Sequence, residues 1–190
     1  MSKNTWDSSY SQLIVAHYSK LWAPPIARHR FSRGPIHELP PDFEILEFQR
    51  DQVSKAYATV CMSQLSDPPE DRLELHLFSP ASASTDSLVE ILTVTAHYHR
   101  TGARLGVDHS VNFGKPWLPG SICTFGLISL PYMDGLELER LEEPKVRFLW
   151  LLPATESEVA YKKKYGMEAL EERFEIAQFN YQDPLRPSVV

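Results

Sequence analysis

The sequence predicts an α+β fold, with a mixed, mainly antiparallel sheet and helices packed against it. Three observations carry that expectation. Over residues 43–77 apolar and polar side chains alternate, the period of strands with one face turned inward. Residues 79–102 and 155–177 instead repeat their apolar side chains at helical spacing. Between those two stretches lies the run from Val146 to Leu152, whose one charge is Arg147. A segment that short and that apolar reads as a strand covered on both faces.

The chain opens with a helix. Asp7, Ser8 or Ser9 can cap it, and Leu13, Ile14, Tyr18, Leu21 and Trp22 give it one apolar face. Pro24-Pro25 ends it. Arg28, Arg30 and Arg33 then alternate with apolar residues. Such arginines bind an anion or, more commonly, line a solvated edge beside local carboxylates. Residues 43–48 and 57–62 are strand candidates. Asp67-Pro68-Pro69-Glu70 supplies a turn, after which Leu73, Leu75 and Leu77 alternate with Glu74 and His76. An antiparallel hairpin follows from that pattern, with Glu74 and His76 on its wetter face. Side by side there, the two are open to an acid–base or metal reading. No third group accompanies them, and a solvated pair is the plainer account.

Residues 80–84 form a small-residue loop in which Ser84, or Thr85 and Ser87 just beyond it, can cap the long helix. Leu88, Ile91, Leu92 and Thr95 lie on one stripe, widened by Val94 and Tyr98, and Gly102 stops it. His97 and His99 diverge by about 200° around that helix, so they cannot ligate one ion together. Over 105–111 a strand is expected with Leu105, Val107, His109 and Val111 inward. Asp108 then faces the other way, which makes Asp108-His109 a poor catalytic dyad. The loop 112–120 is rich in Gly and Pro and carries Phe113, Trp117 and Leu118. Large aromatics on such a loop serve recognition, or else Trp117 folds back as a lid on the core. A buried strand is expected over 122–130. The connection 131–144 is acidic, with Asp134, Glu137, Glu139, Glu142 and Glu143 against Arg140. It reads as a solvated turn, since a metal or glycosidase pair needs a placement that spacing alone does not give.

The strand from Val146 ends at Pro153. Thr155-Glu156-Ser157-Glu158 then fits a capping box. Lys162, Lys163 and Lys164 suit the negative end of a helix dipole, and Gly166 is its natural stop. Met167, Leu170, Phe174 and Ala177 mark a last helix, and Trp150 and Phe174 are expected to be buried together where it crosses the strand. The stretch LWLLPATESEVAYKKKYGMEALEERFE, closed by DPLRPSVV, resembles the end of the Suppressor of fused (SUFU) domain family, and EDRLELHLFSP at 70–80 agrees. The resemblance spans residues 55–190. It implies the same α+β class and a protein-binding role. In animals that role is sequestration of a transcription factor. SUFU-like domains of bacteria are associated with toxin–immunity loci, and the single-domain bacterial type is the version the chain resembles. Animal SUFU proteins have a second lobe beyond the Arg186-Pro187-Ser188 close, so no ligand-contact residue is carried over from them.

Composition narrows the classes further. At 190 residues one domain with a sizeable core is expected. No apolar run approaches the ~20 residues of a membrane span, and MSKNTWDSSY lacks a signal core, so the expected location is cytoplasmic. Cys61 and Cys123 lack a C-x-x-C partner and read as buried thiols. A net charge of −6 disfavours nucleic acid and suits a basic protein partner. There is no G-x-S-x-G, P-loop, G-x-G-x-x-G or H-E-x-x-H, and no cofactor or metal site is expected. The sequence-level candidate is therefore a binding module, with a basic toxin domain as a fitting partner. Its proposed surface joins Phe113 and Trp117 to Asp134, Glu137, Glu139, Glu142 and Glu143. A small hydrolase with an unrecognised site is the alternative, and the oligomeric state is left open.

Overall fold

A computed structural model describes residues 8–31, 36–63 and 72–190. The cap at Asp7, Arg33 and the 67–70 turn lie outside these. Among the described residues eight strands form one sheet. They are β1 (Ala27–His29), β2 (Glu44–Gln49), β3 (Ser54–Val60), β4 (Leu73–Pro80), β5 (Ser110–Asn112), β6 (Cys123–Ser129), β7 (Arg140–Leu141) and β8 (Val146–Thr155). Their order is β1-β2-β3-β4-β8-β6-β5, with β7 paired to β8. Neighbours run antiparallel except at the seam of β4 and β8, where the strands are parallel and His76 lies opposite Trp150. The mixed, mainly antiparallel sheet expected from sequence is present.

Alternation then decides what each side of the sheet holds. Leu73, Leu75, Leu77, Leu149 and Leu151 face α2 (Thr85–Thr101) and join its Leu88, Ile91 and Leu92 in one core. Glu74, His76 and Phe78, with Phe148, Trp150 and Leu152, point to the other side. There α1 (Ser8–Trp22) and α5 (Met167–Ala177) cover the sheet, and Tyr10, Ile14, Tyr18, Trp22, Leu170 and Phe174 complete a second core. Because helices lie on both sides, Glu74 and His76 have no exposed surface, and the wetter face expected for them does not exist. The short α3 (Leu136–Glu139) abuts α1, and α4 (Glu156–Tyr165) leads into α5.

Local differences have local causes. The inward ladder of α1 is Tyr10, Ile14, Tyr18 and Trp22 at steps of four, which leaves Leu13 42% exposed. On α2, Val94 and Tyr98 turn outward while Val89, Thr93, Ala96 and His99 join the buried side, so its inward face is displaced from the one expected. His99 is buried and its Nδ1 accepts the Leu105 N–H at 2.9 Å, while His97 meets Glu38 at the surface. The strand expected from 105 begins only at Ser110. A turn intervenes, in which the His109 N–H donates to Gly106 O and Asp108 takes a φ of 67°. Pro153 does not end β8, because pairing with β4 has already stopped at Trp150 and a missing N–H is tolerated beside one neighbour.

Candidate functional site

The aromatic and acidic segments singled out in the sequence do not form one surface. Trp117 is 2% exposed, its Nε1–H donates to Phe125 O at 2.8 Å, and it sits in the core on the α2 side. Phe113 packs edge-on against it and is half-buried over Gly126, where an added Cβ would lie 3.0 Å from the Phe113 ring. Asp134 is bound on the α1 side, accepting from Trp22 Nε1 at 2.8 Å and facing Arg50 at 3.2 Å. Glu139 is buried and holds Arg147 at 3.0 Å. Trp117, Asp134 and Glu139 therefore serve the fold, while Glu137, Glu142 and Glu143 remain exposed. The reason is geometric: the 112–120 loop returns toward α2, whereas the 131–144 segment returns toward α1, so the sheet separates them.

Glu74 and His76, the pair an acid–base reading would use, are sealed. Burial pushes the Glu74 carboxyl up to about 7, against the opposing hydrogen bonds of Thr59, the Met62 and Ser63 amides and Tyr10. Burial, with the nearby Arg50 charge, pushes His76 down to about 3. Neither borders the groove described next, and neither has a path to a substrate there. Among the described residues no group of three His, Cys, Asp or Glu side chains is placed to hold a metal ion.

The C-terminal segment builds a groove instead. Thr155 caps α4 as expected: its hydroxyl accepts from the Glu158 N–H, and Glu158 accepts from the Thr155 N–H at 2.9 Å. The same carboxylate takes a bidentate pair from Arg186, Nη1 to Oε1 at 2.6 Å and Nη2 to Oε2 at 2.9 Å. Arg186 also donates to Pro153 O at 2.8 Å and lies over the Phe179 and Phe174 rings. Held this way, residues 179–181 stand beside α5 and leave a groove of about 420 Å³. Trp150 and Leu152 of β8 line it, with Phe174 from α5, Phe179 and Tyr181 from the tail, and Tyr132 and Met133 from the loop after β6. Trp150 and Phe174 do share a core, as expected from sequence.

The lining includes Glu171 and Glu175 and no lysine or arginine. Burial lifts the Glu171 carboxyl above its ordinary value; the Tyr132 hydroxyl, donating at 3.2 Å, opposes this, and the charges of Asp108, Glu175 and Glu168 add to the rise. The mouth thus holds carboxylates that repel one another. An apolar floor with an unneutralised acidic rim accommodates a cationic, partly apolar guest.

The Suppressor of fused protein (SUFU) family matches residues 40–187. The chain belongs to that family. A SUFU homologue from Neisseria gonorrhoeae is 30% identical in sequence, over 96% of this chain and 97% of that one, with a TM-score of 0.82. Two more distant structures share the fold at 11% identity. One is that of a Sufu–Fu complex, at TM-score 0.67 over 95% of this chain and 92% of that one. The other is Drosophila Suppressor of Fused, at TM-score 0.70 over 95% of this chain and 51% of that one. No curated protein sequence matches the chain. No helix among the described residues is long and apolar enough to cross a membrane.

In this SUFU chain no local pattern marks the groove, because its parts come from three separate stretches, 129–133, 150–152 and 167–181. Two signals did point to it. Glu168, Glu171, Glu172 and Glu175 make an acidic face on α5, interrupted only by Arg173. Tyr132 and Met133 follow Pro131 directly and are 64% and 55% exposed, unusual for a large apolar pair in a turn.

Proposed function

We propose that the chain is a stoichiometric protein-binding module, and that its groove holds a partner segment with an apolar anchor and flanking lysine or arginine. The observation that carries this is the pairing of an aromatic floor (Trp150, Phe174, Phe179 and Tyr181) with the like-charged rim of Glu171 and Glu175. Aromatic floors supply most of the affinity at such sites, while complementary charge speeds association and selects the partner. Membership in the SUFU family supports a binding role, since a relative of this fold is known from a Sufu–Fu complex. A cationic toxin domain, neutralised by occlusion of its basic surface, fits the groove's chemistry and is the specific partner proposed.

The test is co-purification of the chain with the product of its neighbouring gene, followed by titration calorimetry. A 1:1 complex is expected. Met133→Lys and the pair Glu171→Lys/Glu175→Lys should each weaken it about tenfold or more, and the charge reversal should also slow association and flatten its salt dependence. Full affinity in both folded variants would place the contact elsewhere on the molecule.

A further inference from the structure

A second cavity, of about 250 Å³, opens where the parallel seam begins, and it shares no lining residue with the groove. The Arg147 N–H donates to Arg72 O at 2.9 Å, and Leu73 lies opposite Arg147, so the seam sets Arg72 and Arg147 side by side. The turn after α2 adds Arg104, Leu105 and Gly106 to the wall, anchored by the Leu105 N–H on His99. The wall is graded. Leu73, Leu105 and Leu149 are at most 8% exposed, whereas Arg72 is partly exposed, Arg104 is exposed and the Arg147 side chain is 43% exposed. Leucines therefore back the cavity, and guanidinium groups stand at its mouth. His99 also borders it, but its ring nitrogens are engaged by the Leu105 N–H and the Ser63 hydroxyl. Space remains beside Gly106, where an added Cβ would meet nothing within 4 Å.

The charge at this mouth is of one sign. Among the described residues no carboxylate lines the cavity, although the chain as a whole carries −6. Glu139 takes Arg147 at 3.0 Å and Arg140 at 3.4 Å, so two guanidinium groups share one carboxylate. The Arg72 guanidinium has no hydrogen bond or ion pair among the described residues and lies 5.5 Å from the Tyr10 ring. Its Nε is buried, as is that of Arg147, so the terminal Nη groups are what a guest meets. Arg104, which makes an interaction of its own, adds a third positive charge. Guanidinium forks around a leucine-backed hollow make a receptor for an oxyanion, held by charge-assisted hydrogen bonds. We infer that this cavity binds a small phosphate monoester, with its phosphoryl group among Arg72, Arg104 and Arg147 and a short apolar body against Leu73, Leu105 and Leu149. Two features select that class. A phosphoryl group brings three acceptor oxygens and nearly two negative charges, where a carboxylate brings two oxygens and one charge. The volume falls short of the roughly 300–1,000 Å³ of drug-sized sites, so the body is a single ring or a short chain rather than a nucleotide.

The experiment titrates the full chain at low ionic strength with phenyl phosphate, phenyl sulfate and inorganic phosphate, by calorimetry and by amide shifts of the ¹⁵N-labelled protein. Phenyl phosphate should bind and shift Leu105, Gly106 and Leu149 but not Met133 or Phe179. Inorganic phosphate, without the apolar body, and phenyl sulfate, with a single charge, should each bind severalfold more weakly. Arg72→Gln breaks no ion pair among the described residues, so it should keep a cooperative melt and bind phenyl phosphate about tenfold more weakly. Arg104→Gln should change affinity in the same direction. Lys115→Gln removes the same charge beside Glu90, near the start of α2, and should leave affinity unchanged. Equal affinity of parent and Arg72→Gln would overturn the site, as would an equal loss in Lys115→Gln, which would show that only overall charge matters. Shifts confined to the groove would do the same. Phenyl sulfate binding as tightly as phenyl phosphate would overturn the phosphoryl assignment. Absence of binding at millimolar concentration would end the proposal, and its restoration by Glu70→Gln/Asp71→Asn would identify the chain's own carboxylates as the occupant.

Discussion

Replacing Arg186 by methionine should be among the most costly single changes in the chain. Arg186 is 4% exposed and Glu158 has no exposed surface. Methionine keeps an apolar body against Phe174 and Phe179 but removes the donors to both Glu158 oxygens and to Pro153 O. Glu158 would retain the Thr155 and Val189 N–H groups, at 2.9 and 3.1 Å, and lose its counter-charge. Stranding one partner of a buried ion pair costs about 3–5 kcal/mol. At roughly 2 kcal/mol/M in urea, that is a fall of about 2 M in the unfolding midpoint. Adding Glu158→Gln removes the stranded charge and should recover about 1–2 kcal/mol. The loss also has a pH signature. Burial raises the Glu158 carboxyl, but the hydrogen bonds and charge of Arg186, with the Thr155 and Val189 amides, outweigh burial and hold it below its ordinary 4.5. A carboxyl depressed on folding stabilises above its unfolded value, and that stabilisation disappears as pH falls through the folded value. The gap between parent and Arg186→Met should therefore close below about pH 4.5. A loss under about 1 kcal/mol at pH 7, with no narrowing in acid, would refute the argument.

The opposite sign applies at Glu74, whose carboxyl burial raises from 4.5 to about 7. Between those values the unfolded chain gives up a proton that the folded chain keeps, so stability should decline as pH rises, by roughly 3 kcal/mol at 1.36 kcal/mol per pH unit. His76, held down at about 3, contributes a slope of opposite sign over pH 4.5 to 6.5, so in chemical unfolding from pH 4.5 to 8 the Glu74 decline should appear as the difference between parent and Glu74→Gln; identical pH profiles would exclude Glu74 as its source. Phe174 is 7% exposed and stacks on Phe179 at 4.2 Å, so Phe174→Ala should cost about 3 kcal/mol in denaturant melts. Less than about 1 kcal/mol would mean that α5 is not docked as described.

Where a feature depends on neighbours in sequence, the sequence revealed it. The Thr155–Glu158 box spans one helical turn, so its residues identify it without reference to the rest of the chain. The apolar run from Val146 likewise required cover on both faces, and both faces are covered. Glu74 and His76 were misplaced because alternation identifies two faces but not what later packs on each; α1, from the far end of the chain, closes the second. Of the two readings open for Trp117, the lid folded back on the core is the one its hydrogen bond to Phe125 O fits; Glu139 reads as a surface group because charge usually means solvent, whereas it is buried beside the half-exposed Arg147. The groove draws on segments separated by up to half a hundred residues, and no local pattern encodes their meeting.

The parallel seam has a consequence for how the molecule is assembled. Strands β1 to β4 form one antiparallel meander within residues 27–80, and β5, β6 and β8 form another within 110–155. Each can zip from contacts close in sequence, as hairpins do. Their union cannot: His76 must find Trp150 across α2 and the whole of the second meander. Closing a loop of that length is slow, and little rewards it until several rungs form together. The seam is thus the topological bottleneck, the joint at which two ribbons become one sheet. Trp150 sits on that joint, so a residue of the groove's floor is also among the last to acquire its neighbours.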